Sequence, residues 1–174
     1  MPIVIALMGL PGSGKTTVAE RIVRACDLSV ISRDAIRAAM FRPARFTELE
    51  KRCAYQALLL ALATCLELGR SCLVEGMTFS RTSEVEEVRR IAETAGAHFL
   101  PVFLDCPVDV AQARAARDLE QKSRAPEDRD EKLVARVAER FETPPPDALR
   151  LDATKPPEEI ARAILDRLEQ LHER

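Results

Sequence analysis

Tryptophan is absent, tyrosine occurs once and phenylalanine six times, so aromatics make up only 4% of the 174 residues. Single-stranded nucleic acid is commonly held on aromatic rings beneath successive bases, and this chain has little to stack on. Histidine is scarce, at two residues, and the five cysteines (Cys26, Cys53, Cys65, Cys72, Cys106) show no C-x-x-C spacing. This excludes the common zinc patterns. An odd, scattered set is no disulfide framework, so the expectation is small apolar core residues in a reducing cytosol. No run approaches the roughly 20 apolar residues of a membrane-spanning helix. Met1–Met8 carries no basic residue and leads straight into a glycine-rich loop, so a cytoplasmic chain with no signal peptide and no membrane partner is expected. Charge excess is lacking too: 26 basic and 28 acidic residues leave a net charge of −2. That balance disfavours a non-specific coater of DNA or RNA.

What is present is the composition of a soluble globular chain, 47% hydrophobic and 31% charged. The length fits one domain over residues 1–174, on a prior of roughly 100–200 residues per domain. Near-continuous apolar runs at Ile3–Met8, Leu28–Ser32, Cys72–Glu75, Phe99–Leu104 and, more weakly, Leu149–Asp152 predict strands buried on both faces of a parallel sheet. Between them lie helical periods at Thr16–Cys26, Asp34–Met40, Thr47–Leu68, Ser83–Ala95, Val108–Arg117, Asp130–Phe141 and Pro157–Leu171. Such alternation predicts an open, doubly wound α/β sheet. Gly69 and Gly96 stand where glycines end helices. Pro144–Pro146 is a stiff turn rather than a linker. The polar stretch Asp118–Asp130 is either a solvated loop or a lid over the site, in which case the lid covers about 114–136.

The specific signal is Gly9-Leu10-Pro11-Gly12-Ser13-Gly14-Lys15-Thr16, which matches G-x-x-x-x-G-K-[ST] at every fixed position. At average residue usage, well under roughly one random chain of this length in fifty would match. An apolar strand precedes it and a helical period follows, as the motif requires. Gly9, Pro11, Gly12, Ser13 and Gly14 then form a cradle whose backbone N–H groups, all but that of Pro11, which has none, can converge on a phosphate chain at the positive end of a helix dipole. Lys15 can reach the β- and γ-phosphates, the Thr16 hydroxyl can ligand Mg²⁺, and Thr17 continues the cradle. ATP and Mg²⁺ are therefore the expected ligands. No N-K-x-D segment reads guanine, and the third strand ends in one carboxylate, Glu75, where a motor ATPase needs Asp-Glu. Both absences point to a small ATP-dependent kinase.

Asp34 follows the second strand, on the side of an open α/β sheet where ligands bind. Asp34 and Arg37 are three apart and share a helical face. Asp34 can either receive the proton of an acceptor hydroxyl or cap the next helix. Arg114 and Arg117 are also three apart, entering the charged stretch. They either stay solvated or place cations against the transferring phosphoryl group.

These residues resemble a family. Gly9–Thr17, Ile31-Ser32-Arg33-Asp34-x-x-Arg37, Val74-Glu75-Gly76-Met77-Thr78-Phe79 and Asp105-Cys106-Pro107 followed by Arg114 are similar to the small P-loop kinases related to polynucleotide 5′-hydroxyl kinase. That group includes short AAA-type kinases, with zeta toxins and chloramphenicol phosphotransferase more distant. The resemblance implies a P-loop NTPase fold: a three-layer α/β/α sandwich with a mainly parallel five-stranded sheet and a helical lid. It implies Asp34 as general base, Arg37 on the acceptor phosphate, and Glu75 beside Mg²⁺ or the acceptor. Arg114, and less directly Arg117 and Arg124, match lid arginines. The Leu151–Pro156 loop, with Thr154 and Lys155, would line the adenine.

The acceptor stays open at this level. Arg33, Arg37, Arg42 and Arg45 oppose Asp34 alone, a local balance of +3 over residues 33–45. Four arginines suit the phosphates flanking a 5′-hydroxyl nucleic-acid end, the main expectation, with Phe41 and Phe46 as the local stacking candidates. A phosphorylated or anionic small molecule is the alternative. Pro107-Val108-Asp109-Val110-x-x-x-Arg114, Phe141-Glu142-x-Pro144-Pro145 and Leu151-Asp152-Ala153-Thr154 are similar to adenylylsulfate kinase. That family, however, opens its acceptor side with D-G-D-x-x-R where this chain has Ser32-Arg33-Asp34. Gluconate-type kinases share Arg114 and Phe141-Glu142-Thr143 but want an H-P motif that is missing here. A regulatory ATPase without a hydroxyl acceptor is the third reading.

Overall fold

Successive side chains of a strand point to opposite faces of its sheet, and the first strand, β1 (Ile3–Met8), shows the consequence. Ile3, Ile5 and Leu7 enter one core cluster and Val4, Ala6 and Met8 the other, none more than 2% exposed. In this computed structural model, which describes residues 1–120 and 131–172, β1 is followed by α1 (Lys15–Ala25), β2 (Ser29–Ser32), α2 (Arg33–Met40), α3 (Glu48–Glu67) and β3 (Cys72–Glu75). Then come α4 (Thr82–Thr94), β4 (His98–Asp105), α5 (Val108–Glu120), α6 (Glu131–Glu139), β5 (Leu149–Asp152) and α7 (Pro157–His172). Residues 121–130 of the expected lid, with Arg124, lie outside the described residues.

The strands pair in the order β2-β3-β1-β4-β5, and every pairing is parallel. Helices cover both faces. Val18, Ile22, Ala111, Val134, Val137, Ile160 and Ile164 place α1, α5, α6 and α7 against the odd residues of β1. Leu58, Leu62, Leu66, Val85, Val88 and Ala92 place α3 and α4 against the even ones. The result is the three-layer α/β/α sandwich expected of a P-loop NTPase.

Burial follows position in the sheet. Central β1 and β3 are buried throughout, whereas edge strand β5 alternates half-buried and exposed residues and edge strand β2 leaves Val30 47% exposed. The apolar runs are therefore strongest where both faces are covered. All five cysteines are free thiols. Among the described residues no group of His, Cys, Asp and Glu could hold a metal ion by itself, and no helix is long and apolar enough to cross a membrane.

Candidate active site

The loop from β1 to α1 is held from outside by the segment after β3 and by α5. The Gly9 N–H donates to the Thr78 carbonyl at 3.1 Å, tying the loop to the segment after β3. A Cβ on Gly12 would run into the Ala111 carbonyl of α5, and its φ of 81° is one that side chains rarely adopt. Lys15, first residue of α1, donates from Nζ to the carbonyls of Gly9 and Leu10, both at 2.8 Å, and to Ser13 Oγ at 3.4 Å. Thr16 follows, and its hydroxyl donates to Glu75 Oε2 at 3.3 Å. Glu75 ends β3 only 8% exposed, so its carboxylate sits behind the loop. A serine or threonine hydroxyl with one carboxylate suits Mg²⁺, a hard cation that prefers oxygen donors, keeps several waters and shares substrate phosphates.

Glycine has a second structural duty at Gly76, directly after β3. A Cβ there would lie 2.7 Å from Ser32 Oγ and 2.9 Å from the Asp34 nitrogen. The absence of a side chain lets the start of α2 approach the end of β3. Ser32 Oγ accepts from the Ala35 N–H at 3.4 Å, so Ser32 caps α2 and the Asp34 side chain is not the cap. Asp34 instead accepts from Arg37 Nη2 at 3.1 Å. Arg37 is 4% exposed, with its guanidinium 4.3 Å from the centroid of the Phe46 ring. A buried cation is tolerable when paired in this way.

Two cavities open at the carboxyl ends of the strands. The first, about 920 Å³, is lined by Gly12, Ser13, Gly14, Lys15, Thr16 and Thr17 together with Arg114, Arg117, Ala153 and Lys155. Arg114 is held there by donating from Nη1 to the Ala153 carbonyl at 2.9 Å. The second, about 610 Å³, is lined by Pro11, Lys15, Asp34 and Arg37, by residues of α3, α4 and α6, and by the Met77–Arg81 segment. Lys15 borders both. Of the other residues singled out in the sequence, Gly9, Glu75 and Thr154 line neither cavity. Gly9 serves as an anchor and Glu75 backs Thr16. The Thr154 hydroxyl and N–H both turn to Asp152 Oδ1, at 2.6 and 2.8 Å.

Several residues of the second cavity escaped the sequence reading: Lys51, Arg52, Tyr55, Arg81, Glu87, Arg136 and Arg140. The Tyr55 hydroxyl donates to Glu87 Oε2 at 2.9 Å, and burial with that carboxylate pushes its ionisation far up, so it remains a donor. A signal existed for α6, where Arg136 and Arg140 are one helical turn apart and flanked on the same face by Leu133 and Val137. Neither phenylalanine expected near the acceptor is free to take a base among the described contacts. Phe46 carries the Arg37 guanidinium and Phe41 does not line the cavity.

A phosphate loop whose lysine stands between two separate cavities is the layout of a P-loop kinase. The sequence profile of the AAA domain family matches residues 4–144, and the chain belongs to that family. Its relatives are phosphotransferases. An adenylyl-sulfate kinase of Myxococcus xanthus (strain DK1622) is 29% identical over 133 residues, 71% of this chain and 69% of that one. A gluconokinase of Sinorhizobium meliloti 1021 superposes with a TM-score of 0.72 at 25% identity, over 99% of this chain and 94% of that one. The APS kinase of Mycobacterium tuberculosis, in complex with AMPPNP and APS, has the same fold, with a TM-score of 0.71 at 24% identity over 97% and 98% of the two chains. The chain is thus an ATP-dependent phosphotransferase.

Proposed function

We propose that this kinase transfers the γ-phosphoryl group of ATP to a hydroxyl of a small anionic acceptor bound in the second cavity. One observation carries the reading. Among the described residues lining that cavity, eight lysine and arginine side chains face four carboxylates, in a chain whose net charge is −2. Local positive charge inside a concave wall concentrates anions there and raises their rate of encounter. At about 610 Å³ the cavity suits a compact molecule. Arg42 and Arg45, half of the basic stretch that would suit a nucleic-acid end, do not line it, and Tyr55 is the one aromatic among its described lining residues. Both facts favour a small anion over a polynucleotide.

In this reading Gly12–Thr17 and Lys15 hold the triphosphate in the first cavity, with Arg114, Arg117 and Lys155 on its other wall. Thr16 and Glu75 would hold Mg²⁺, which when bound neutralises charge on the phosphates. The acceptor oxygen forms a bond to the γ-phosphorus as the bond from that phosphorus to the β–γ bridging oxygen breaks, and ADP leaves. The hydroxyl proton passes to Asp34, which Arg37 orients. Lys15, bordering both cavities, faces the charge that spreads over the transferring group.

The test is transfer of labelled γ-phosphate from ATP·Mg²⁺ to gluconate, sugar phosphates, adenylyl sulfate and a 5′-hydroxyl oligonucleotide in parallel. Label in a small-anion lane is the expected outcome. Label confined to the oligonucleotide, or ATP hydrolysis with no labelled acceptor in any lane, overturns the proposal.

A further inference from the structure

Basic side chains are divided between α5 and the end of α6. Arg114 and Arg117 of α5 line the first cavity, whereas Arg136 of α6 and Arg140 just beyond it line the second. The division has a structural cause. The chain that leaves α6 is strapped to α4 at two points, and α4 with its preceding segment forms a wall of the second cavity. The Thr82 N–H donates to Glu142 Oε2 at 2.7 Å, and the Glu142 N–H donates to the Ser80 carbonyl at 2.9 Å. Two turns along α4, Arg89 makes a paired contact with Asp147, Nη1 to Oδ2 and Nη2 to Oδ1, each at 3.0 Å. Arg89 is also packed on Phe99 at 4.8 Å and bonded to Glu86 at 3.1 Å, so this end of the strap is firmly placed.

The strap brings the end of α6 over the start of α4, where Arg81 stands. Glu48, at the start of α3, lines the same cavity as these groups. After its bond to Lys51 at 3.0 Å, the positive charges of Arg140 and Arg81 both help hold its carboxyl below the usual range. Two segments distant in sequence thus bring guanidinium groups to one cavity: Arg81 before α4, and Arg136 and Arg140 at the end of α6. All three are exposed; Glu48 and Glu84 also line this wall, the latter accepting from the Arg81 N–H at 3.3 Å, and over the whole cavity eight basic side chains still exceed four carboxylates.

We infer that Arg81, Arg136 and Arg140 form an anion subsite at the rim of the acceptor cavity, distinct from the phosphate loop, and that the acceptor carries a phosphate, sulfate or carboxylate group in addition to its reacting hydroxyl. The inference rests on the kinase reading above and adds to it the second functional group of the substrate. Guanidinium forks bind such oxyanions through paired hydrogen bonds, which fixes orientation as well as adding affinity. An acceptor held at this rim by its anion keeps its hydroxyl free to reach Asp34 and Lys15, which line the same cavity.

The experiment saturates the phosphate loop with AMPPNP·Mg²⁺ and then titrates sulfate by calorimetry. Wild-type protein is expected to bind sulfate, and Arg136→Gln/Arg140→Gln to weaken it by at least about tenfold, the loss that follows from one or more charge-assisted hydrogen bonds. Arg81→Gln, on a different element, is expected to weaken it in the same direction. Arg24→Gln/Arg162→Gln removes equal charge from exposed positions of α1 and α7 and should leave sulfate affinity unchanged. AMPPNP affinity, unchanged in every variant, reports that each is folded. No sulfate binding by wild type, retained binding in both subsite variants, or an equal loss in the α1/α7 control overturns the subsite. Failure of the kinase reading shows separately, as absence of phosphoryl transfer to any small anion by wild-type protein.

Discussion

At the scale of single residues, the second strand's end shows how a motif acquires a role. Ser32-Arg33-Asp34 leaves open in sequence whether the aspartate caps a helix or serves chemistry. The fold assigns the cap to Ser32, whose Oγ meets the Ala35 N–H, and leaves Asp34 beside Arg37 on the wall of the second cavity. Asp34→Asn preserves the shape and the hydrogen-bond acceptor but is a poor proton acceptor. Transfer to the acceptor is therefore expected to fall by about 10²–10⁴, with AMPPNP affinity unchanged. Single-turnover transfer alongside equilibrium binding measures both, and retained transfer would remove Asp34 from the mechanism. The residues of the phosphate loop were legible because one contiguous segment builds the cradle, and backbone geometry at Gly12 and Gly14 needs no distant partner to be inferred. Arg81, Arg136 and Arg140 were not, because a solvated arginine and a site arginine look alike until the start of α4 and the end of α6 meet.

At the scale of elements, strands and helices were readable to within a residue or two, except that α5 runs three residues past the expected end at Arg117, to Glu120. Apolar runs mark strands covered on both faces, and Leu58, Leu62 and Leu66 mark the buried stripe of α3 while Leu60 remains 71% exposed. What pattern cannot supply is an element's cap when it comes from elsewhere. Helix α4 begins at Thr82, and its first N–H is met by Glu142, 60 residues later in the chain. That hydrogen bond holds the Glu142 carboxyl below the usual glutamate range. A carboxyl lowered in the folded state contributes stability above its unfolded-state pKa and loses it as pH falls through the folded value. Glu142→Ala is accordingly expected to melt below wild type at neutral pH, and the gap to close as pH drops beneath the ordinary glutamate range. Melting curves of both proteins across that interval check it; a gap independent of pH would mean that the charged cap contributes nothing.

At the scale of the whole molecule, the sheet order β2-β3-β1-β4-β5 sets β1 between β3 and β4, so the phosphate loop emerges with a cavity on either side and Lys15 in contact with both. A nucleotide that binds only the folded chain stabilises it by mass action, by about 2.7 kcal/mol at a hundredfold excess over Kd. For a chain of this length that corresponds to a rise of roughly 5–11 °C in Tm. AMPPNP with Mg²⁺ should produce such a rise in a thermal melt, EDTA should diminish it, and Lys15→Ala should abolish it. An equal rise with and without Mg²⁺ would detach Thr16 and Glu75 from the metal. By itself the sequence determined the phosphate loop, the alternation of strands and helices and hence the parallel sandwich, since each rests on local backbone geometry or on the period of apolar residues. Only the tertiary structure decided that Ser32 frees Asp34, that Thr154 turns to Asp152, and that arginines from the ends of α4 and α6 share one rim. Those relations depend on which elements the sheet order and the strap from Glu142 to Asp147 bring side by side, and no spacing along the chain encodes them.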